Sequence, residues 1–296
     1  MTSIYNGCLR EGWFPKRWKR ARIIPLIKPG KGNCSDASKY QPISLLNTGG
    51  KVLEKLLINR IMHFLYNNEL LNQNQFGFTP QKSTTDAAMA VKDFIEEALT
   101  RGQIVALVSL DVKGAFDAAW GPSVVKAMKD FYCPRNLCNL TKSYFTERTA
   151  FIVTNSMRIE TAVNKGCPQG SCCGPGYWNI QYNSLLNLNY TKWTMATAYA
   201  VDLLIAVKAV TTAEVENFTN IEMTKIKRWS KENKLQFNDQ KSHVMLISRR
   251  RKDRKSIDIY LNNSRLEQVD KMKYLGIIID SKFTFNEHIK YATDMH

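Results

Sequence analysis

Residues 104–120 read IVALVSLDVKGAFDAAW, and the first half of this stretch decides the class of fold. The run Ile104 to Val112 is almost wholly apolar and is bounded by Gly102 and Gly114, which is typical of a strand buried on both faces. The run carries one acidic residue, Asp111, next to its end. A carboxylate in this place either caps a turn or faces a site.

A second acidic residue is predicted to lie in a similar place. Residues 194–200 and 203–207 read as two strands with almost no loop between them, which puts Asp202 at the tip of a tight hairpin. Two carboxylates at neighbouring strand ends suit Mg²⁺, which takes one or two protein carboxylates and completes its shell with water and phosphate oxygens. The spacing alone leaves open the alternative that each aspartate only caps its turn.

The rest of the chain mixes helices and strands without a repeating strand–helix–strand order, which favours the α+β class. Turns are predicted at Pro29-Gly30 and Asn155-Ser156. The further predicted helices cover residues 45–65, 86–99, 122–131, 135–145, the end of the 165–176 loop to 188, and 212–235. The further predicted strands cover residues 23–27, 149–154 and 158–163, and three short strands and a helical turn close the chain.

The composition of the 296-residue chain is globular, with 44% hydrophobic and 23% charged residues, which excludes a fibrous repeat or wholesale disorder. The length allows one large domain or two ordinary ones. No apolar run is long enough to span a bilayer, and residues 1–13 lack the apolar core of a secretory signal. With seven cysteines, an odd number, these features predict an intracellular protein with reduced thiols, in the nucleus or cytoplasm and not secreted.

The formal net charge of +16 is confined to two stretches. Residues 1–31 carry eight basic residues and one acidic residue, and residues 225–255 carry twelve and three. A localised excess of this kind suits a nucleic acid, because lysine and arginine displace counterions from a phosphate backbone. A solubilising surface is the alternative. A membrane-surface helix is disfavoured because residues 249–255 (RRRKDRK) have no interleaved apolar face.

Three short motifs follow one another along the chain, at residues 111–117 (DVKGAFD), 166–171 (GCPQGS) and 199–202 (YAVD). In this order they resemble the palm motifs of reverse transcriptases, and more narrowly those of non-LTR, jockey-like retrotransposons. Further matching segments lie at residues 18–21 with 28–31, at 40–46, 74–78, 235–238 with 241, and 273–276. Any one motif is weak, whereas the ordered series covers essentially the whole chain.

The resemblance implies a right-hand polymerase fold with fingers over residues 1–103, a palm over 104–282 and the start of a thumb over 283–296. It also implies an RNA-directed DNA polymerase that transfers nucleotides with two Mg²⁺ ions, or with Mn²⁺. The implied partners are an RNA template, a DNA primer and deoxynucleoside triphosphates, with no membrane.

Four residues take catalytic or metal-binding roles by this resemblance. Asp111 and Asp202 would be the metal ligands, and the carbonyl of Val112 would complete one metal shell. Lys241 resembles the lysine that protonates the pyrophosphate leaving group, although it is equally well read as one more basic surface residue.

Other residues take nucleotide and primer roles by the same resemblance. Phe116 matches the aromatic gate that excludes a 2′-hydroxyl, with a plain core phenylalanine as the alternative. Gln169, in a loop whose glycine allows close approach, and Lys28 match positions beside the incoming nucleotide. The implied primer grip comprises Tyr274, Leu275 and Gly276.

The sequence departs from the family pattern at three functional positions. Val201 stands where the family has the first aspartate of the hairpin, and valine cannot bind a metal ion. Gln41 and Thr79 stand where the family has arginines, and glutamine lacks the charged fork that pairs with a triphosphate. These changes predict impaired polymerisation, as in a decayed genomic copy.

Three other functions are weighed against this one. A non-catalytic nucleic-acid-binding remnant, or a domesticated protein of the same fold, would keep the basic stretches and lose the chemistry. An RNA-templated RNA polymerase is disfavoured by the bulk of Phe116. A zinc site is disfavoured because Cys167, Cys172 and Cys173 contain no C-x₂-C pair.

Overall fold

The computed structural model describes residues 2–28, 36, 39–154 and 157–294. The turns predicted at Pro29-Gly30 and Asn155-Ser156 lie outside these residues. The chain divides into two compact units, one of residues 1–71 and 114–182 and the other of residues 72–113 and 183–296. The division into fingers, palm and thumb stays a prediction.

Helices and strands are mixed along the chain, as the α+β prediction requires. The helices are α1 Thr2–Glu11, α2 Thr48–Asn67, α3 Thr84–Thr100, α4 Ala115–Ala118, α5 Gly121–Asp130, α6 Arg135–Phe145, α7 Gly174–Leu186, α8 Thr212–Glu232 and α9 Asn286–Thr293. The strands are β1 Arg20–Ile27, β2 Tyr40–Leu45, β3 Ile104–Val112, β4 Arg148–Val153, β5 Arg158–Val163, β6 Thr194–Tyr199, β7 Asp202–Ala209, β8 Phe237–Ile247, β9 Tyr260–Leu261, β10 Ser264–Arg265, β11 Glu267–Gln268, β12 Lys271–Tyr274 and β13 Ile277–Asp280.

The first unit combines a four-stranded sheet of order β2-β1-β4-β5 with a helical core. Leu53, Leu57 and Ile61 of α2 are fully buried in that core with residues of α5 and α6. The helix predicted from residue 45 begins later, at Thr48, because residue 45 pairs with β1 as a strand. The side chain of Asn47 accepts the N–H groups of Gly49 and Gly50, which fixes the start of α2.

The second unit is built on a five-stranded sheet of order β11-β8-β3-β7-β6, with β3 at its centre. Val105 and Leu107 of β3 lie in one apolar cluster with Val91 and Ile95 of α3. Alternate β3 side chains point to the other face, and α8 also packs on β3 and β7. The strand predicted over 104–112 is therefore confirmed, with the bounds and the burial expected from its apolar run.

The prediction of three short strands at the end of the chain is wrong. The structure has one long strand, β8, and five short ones. The strand β8 is long because its apolar half, ending at Ile247, pairs along β3. The hairpin of β9 and β10 turns at Asn262 and Asn263, which both take left-handed φ angles, 51° and 71°. Paired asparagines are a known signal for such a turn.

No helix among the described residues has the length and apolar character needed to cross a lipid bilayer.

Truncation of the central strand should destabilise the second unit. Leu107 is fully buried, so Leu107→Ala should lower the free energy of unfolding by about 3 kcal/mol through lost burial and a residual cavity. The matched control is Ile221→Ala on α8, where the side chain is 40% exposed and the loss should stay below about 1 kcal/mol. Urea denaturation followed by circular dichroism measures both, and equal losses would contradict the central position of β3.

Candidate active site

Asp111 lies next to the end of β3 and is held in place by β8. Its backbone N–H donates to Ser242 Oγ at 3.2 Å, and Ser242 Oγ in turn donates to the Asn238 carbonyl at 2.7 Å. The Asn238 side-chain amide donates to Asp111 Oδ2 at 3.3 Å. Both the backbone and the carboxylate of Asp111 are therefore oriented by one neighbouring strand.

A bulge in β8 produces this arrangement. Ser109 of β3 pairs with His243, and Asp111 pairs with Asn238, so β8 advances by five positions where β3 advances by two. The extra residues, 239–241, interrupt the ladder, and bulges of this kind re-aim side chains next to sites. Lys241, the predicted proton donor, is exposed within the bulge.

Asp202 begins β7 at the hairpin turn. It pairs with Tyr199, so Ala200 and Val201 form the turn itself. The expectation that Asp202 sits at the tip is wrong by one residue, because the tip is Ala200-Val201 and Ala200 takes the left-handed φ of 55°.

The register of the sheet apposes the two aspartates. Leu110 of β3 pairs with Leu203 of β7, and the next positions along these antiparallel strands are Asp111 and Asp202. The pKa of Asp202 is raised by removal from water and, secondly, by the negative charge of Asp111. A cation between the carboxylates would relieve this repulsion. In the described part of the chain, no cluster of three or more His, Cys, Asp or Glu residues could hold a metal ion, so any ion here depends on this pair.

Gly77, which sequence reasoning did not single out as a functional residue, supports the hairpin turn. The Phe76 N–H donates to the Ala198 carbonyl at 2.8 Å, and the Ala198 N–H donates to the Asn74 carbonyl at 2.9 Å. A Cβ on Gly77 would come within 2.6 Å of the Ala200 Cα and closer still to its nitrogen. The segment 74–78 therefore fits against the turn only with glycine at position 77. The signal in the sequence is a glycine between two phenylalanines.

The three predicted primer-grip residues occupy two different environments. Leu275 and Gly276, with left-handed φ angles of 49° and 90°, form the turn between β12 and β13. Tyr274 is buried in the apolar cluster of the second unit. Burial raises the pKa of Tyr274, and the negative charge of Asp202 adds to the rise.

Phe116, Gln169 and Lys28 belong to the first unit. The Phe116 ring is half-buried, with its centroid 6.1 Å from that of Trp178. The Gln169 carbonyl accepts the Ser44 N–H at 2.9 Å, which ties its loop to β2, while its side-chain Oε1 is buried without a hydrogen-bond partner. Lys28 follows β1 and is exposed. Val112, assigned to the second unit, is buried and pairs with Phe237.

Glu54 is a second residue that the sequence reasoning missed. Its buried carboxylate accepts the Ser171 hydroxyl and the Cys172 N–H, each at 2.7 Å. It thereby holds the loop that carries Gln169 at the start of α7. Burial raises the pKa of Glu54, although these hydrogen bonds oppose the shift. A charged residue within the apolar stripe of α2, next to Leu53, was the available signal.

Arg148 supports the other end of the same loop. Its Nη2 donates to the Gly166 carbonyl at 2.6 Å and to the Lys165 carbonyl at 3.2 Å. Its guanidinium lies over the rings of Tyr144 and Phe145, at 5.5 and 5.6 Å from their centroids. The loop around Gln169 is thus fixed by one buried acid and one buried base.

The fold is similar to that of solved telomerase structures. The chain matches apo telomerase from Candida tropicalis, truncated from its C-terminal domain, with a TM-score of 0.63 at 10% identity, covering 95% of this chain and 59% of that one. It matches Candida albicans telomerase, in complex with a fragment of telomeric RNA, with a TM-score of 0.60 at 10% identity, covering 95% and 48%. This likeness confirms the class, a right-hand polymerase fold.

The sequence comparisons give the family. The family model described as reverse transcriptase (RNA-dependent DNA polymerase) matches residues 27–279. The chain is 31% identical over 98% of its length to the RNA-directed DNA polymerase from the mobile element jockey of Drosophila funebris. It is 30% identical over 99% of its length to a probable RNA-directed DNA polymerase from transposon BS of Drosophila melanogaster. The chain belongs to the reverse transcriptase family, among the enzymes of non-LTR retrotransposons, and it spans about a third of the length of these relatives, 32% and 33%.

Addition of one methyl group at Gly77 should disturb the hairpin turn. Gly77→Ala should lower the free energy of unfolding by about 2 kcal/mol or more through overpacking against Ala200. Because the bond from Ala198 N–H to Asn74 would be strained, hydrogen exchange at the Ala198 amide should accelerate. The control is Gly7→Ala in α1, where a Cβ meets nothing within 4 Å and stability should hold or rise. Unchanged exchange at Ala198 would contradict the supporting role of Gly77.

Removal of the Glu54 carboxylate should release the loop that carries Gln169. Glu54→Ala should cost about 3 kcal/mol of unfolding free energy, because the Ser171 hydroxyl and Cys172 N–H lose their buried acceptor. Glu54→Gln keeps an acceptor oxygen and should cost less.

A pH dependence follows from the raised pKa of Glu54. The native protein holds the Glu54 proton more tightly than the unfolded chain, so its contribution to stability is present below the ordinary value of 4.5 and is lost as pH rises through the raised pKa. The difference in unfolding free energy between the native sequence and Glu54→Gln should therefore fall with pH in this window. Thermal unfolding at several pH values measures it, and a difference that rises with pH would overturn the assignment.

Proposed function

We propose that this chain is the catalytic part of an RNA-directed DNA polymerase of a non-LTR retrotransposon. The supporting observation is the register that sets Asp111 opposite Asp202 in a chain of the reverse transcriptase family. Its substrates are an RNA template, a DNA primer and deoxynucleoside triphosphates. It acts inside the cell, where copying into a chromosome needs access to nuclear DNA.

Asp111 and Asp202 hold the divalent cation, Mg²⁺ or Mn²⁺, with the carbonyl of Val112 as a further oxygen ligand. The donor set fits a hard cation, because both side chains are carboxylates and the raised pKa of Asp202 reflects, in part, uncompensated negative charge from Asp111. Bound there, the ion supplies charge neutralisation on the triphosphate and lowers the pKa of the attacking hydroxyl. Asn238 and Ser242 keep the Asp111 carboxylate oriented.

We assign proton donation, nucleotide binding, sugar selection and primer contact to the other side chains that the resemblance identified. Lys241, exposed in the β8 bulge, gives a proton to the departing pyrophosphate. Gln169 accepts a hydrogen bond from the incoming nucleotide through its side-chain Oε1, which has no hydrogen-bond partner among the described residues. The positive charge of Lys28 attracts the same nucleotide. Phe116 excludes a ribose 2′-hydroxyl by its bulk. At the turn of β12 and β13, Leu275 and Gly276 contact the primer, while buried Tyr274 positions that turn.

Val201 weakens this activity. It occupies the turn next to Asp202, where the family pattern has an aspartate, so the site has two carboxylates in place of three. A missing ligand reduces both the negative charge and the number of oxygen atoms around the metal. We expect slow polymerisation from the native sequence.

Restoration of the aspartate tests the assignment. Val201→Asp should raise primer extension on an RNA template with Mg²⁺ by about a hundredfold, equivalent to roughly 3 kcal/mol of transition-state stabilisation. Val201→Asn is the matched control, since it is similar in size and lacks the charge, and it should give little gain. Asp111→Asn in the Val201→Asp background should abolish extension, and extension that survives this change would sink the catalytic assignment.

A second candidate function is nucleic-acid binding without catalysis, which Val201 itself favours. It requires that the native sequence binds RNA and extends no primer, and that Asp111→Asn leaves its RNA affinity unchanged. The same extension and binding assays therefore separate the two functions.

A further inference from the structure

A large groove in the second unit lies apart from the two aspartates. Its volume is about 900 Å³, and it runs between the short 3-10 turn Arg251–Asp253, the outer ends of β12 and β13, and α9. Five cationic side chains line it: Arg251, Arg254, Lys271, Lys282 and Lys290. We call it the basic groove.

The acidic residues of the basic groove are engaged within the protein. Asp280 is buried, and its two oxygens accept backbone N–H bonds of 2.7 to 3.2 Å from the loop that follows. Glu287 pairs with Lys271 at 3.6 Å. Asp270 accepts the Ser281 hydroxyl at 3.5 Å. These carboxylates keep their negative charges, so the five cationic and three acidic residues that line the basic groove leave it with a formal charge of +2.

The other four cations have no carboxylate partner. Among the described residues, no acidic oxygen lies within 4 Å of the charged groups of Arg251, Arg254, Lys282 or Lys290. The Arg254 Nε is also buried without a hydrogen-bond acceptor in the structure. A buried donor without a protein acceptor is unusual in a folded protein and is satisfied by water or by a ligand that brings an acceptor. These cations favour an anionic ligand in the basic groove.

The position of the basic groove separates it from the chemistry of the palm motifs. The hairpin of β12 and β13 has the Leu275-Gly276 turn at one end, next to Tyr274, and these three residues are the predicted primer grip. Lys271 and Asp280 pair at the other end, about 10 Å from Tyr274 along the strand. A nucleic-acid strand bound at the Leu275-Gly276 turn would have to extend further to reach the basic groove.

The lining indicates what kind of anion fits. A volume of 900 Å³ is far more than one phosphate needs and is near the upper end for ligand sites. No aromatic side chain lines the groove in the described part of the chain, so stacked bases find no platform. Ser281, Thr284 and Asn286 supply uncharged hydrogen-bonding groups of the type that contact phosphate and sugar.

We infer that the basic groove binds the sugar–phosphate backbone of single-stranded RNA, outside the polymerase site and with little dependence on sequence. The choice of RNA among anionic polymers rests on the proposed function. The exposed run around it, with Arg249, Lys252 and Lys255, extends the positive field toward the approaching strand.

Neutralisation of exposed groove cations tests this. The triple variant Arg251→Gln, Lys282→Gln, Lys290→Gln leaves the half-buried Arg254 intact, and all three altered side chains are exposed. Binding of a labelled single-stranded RNA of mixed sequence is measured by fluorescence anisotropy over a range of KCl concentrations, without nucleotides or metal. Affinity should fall about tenfold or more, and the slope of log K against log salt should lose about 2, since each phosphate contact on a single strand contributes about 0.7.

The matched control carries the same charge change elsewhere. Lys55→Gln, Lys126→Gln, Lys129→Gln alters three exposed lysines of α2 and α5, and its salt slope should stay near that of the native sequence. Thermal unfolding of both triples should match the native protein. Equal loss of slope in the control, or no loss in the groove variant, would overturn the basic groove as an RNA site.

Competitors decide the ligand class. Polyglutamate should displace the RNA poorly, because carboxylates on a peptide lack the phosphate spacing and the 2′-hydroxyl, and displacement as effective as that by unlabelled RNA would overturn the RNA assignment. DNA of the same sequence should bind the native protein more weakly than the RNA. If DNA bound as tightly as RNA, and lost as much affinity in the groove variant, the RNA assignment would be overturned. Because these assays involve no polymerisation, failed extension by the Val201→Asp protein would remove the proposed function and leave the groove result standing.

Discussion

The pairing of β3 with β7 is the constraint on which the rest of the structure depends. Strand β3 lies at the centre of its sheet, is buried on both faces, and pairs with β7 from Ile104 opposite Ala209 to Leu110 opposite Leu203. The register that aligns Leu110 with Leu203 brings Asp111 and Asp202 to neighbouring positions. Hydrophobic packing thereby holds two like charges at adjacent positions, which electrostatics alone would oppose.

The backbone around this pair is held by contacts remote in sequence. A bulge in β8 turns Ser242 and Asn238 toward Asp111, and Gly77 supports the turn before Asp202. In the other unit, Glu54 and Arg148 hold the Gln169 loop from its two ends. These residues touch no substrate in the proposed reaction. They fix the positions of those that do, and a catalytic geometry depends on such supporting contacts.

The second unit carries an acidic site, the pair Asp111 and Asp202, and a separate cationic site, the basic groove. At the aspartate pair, burial and, secondly, the negative charge of Asp111 raise the pKa of Asp202, and in the proposed function a cation binds there. At the basic groove, four of the five lining cations have no carboxylate partner among the described residues, and the inferred ligand there is an anion. In the proposed function, Val201 leaves the first site with one carboxylate fewer than the family pattern. The groove does not depend on that position.

The sequence by itself determined the α+β class, the buried strand Ile104–Val112, the family and the order of its motifs, because apolar periodicity and short local motifs are written along the chain. It did not determine the start of α2 at Thr48, the length of β8, or the place of Asp202 just beyond the tip of its hairpin. Only the tertiary structure decided which residues support Asp111, why position 77 must be glycine, and that Arg251 and Lys290 share one groove. Each of these depends on pairing or packing between segments far apart in the chain, and a local pattern carries no information about such partners.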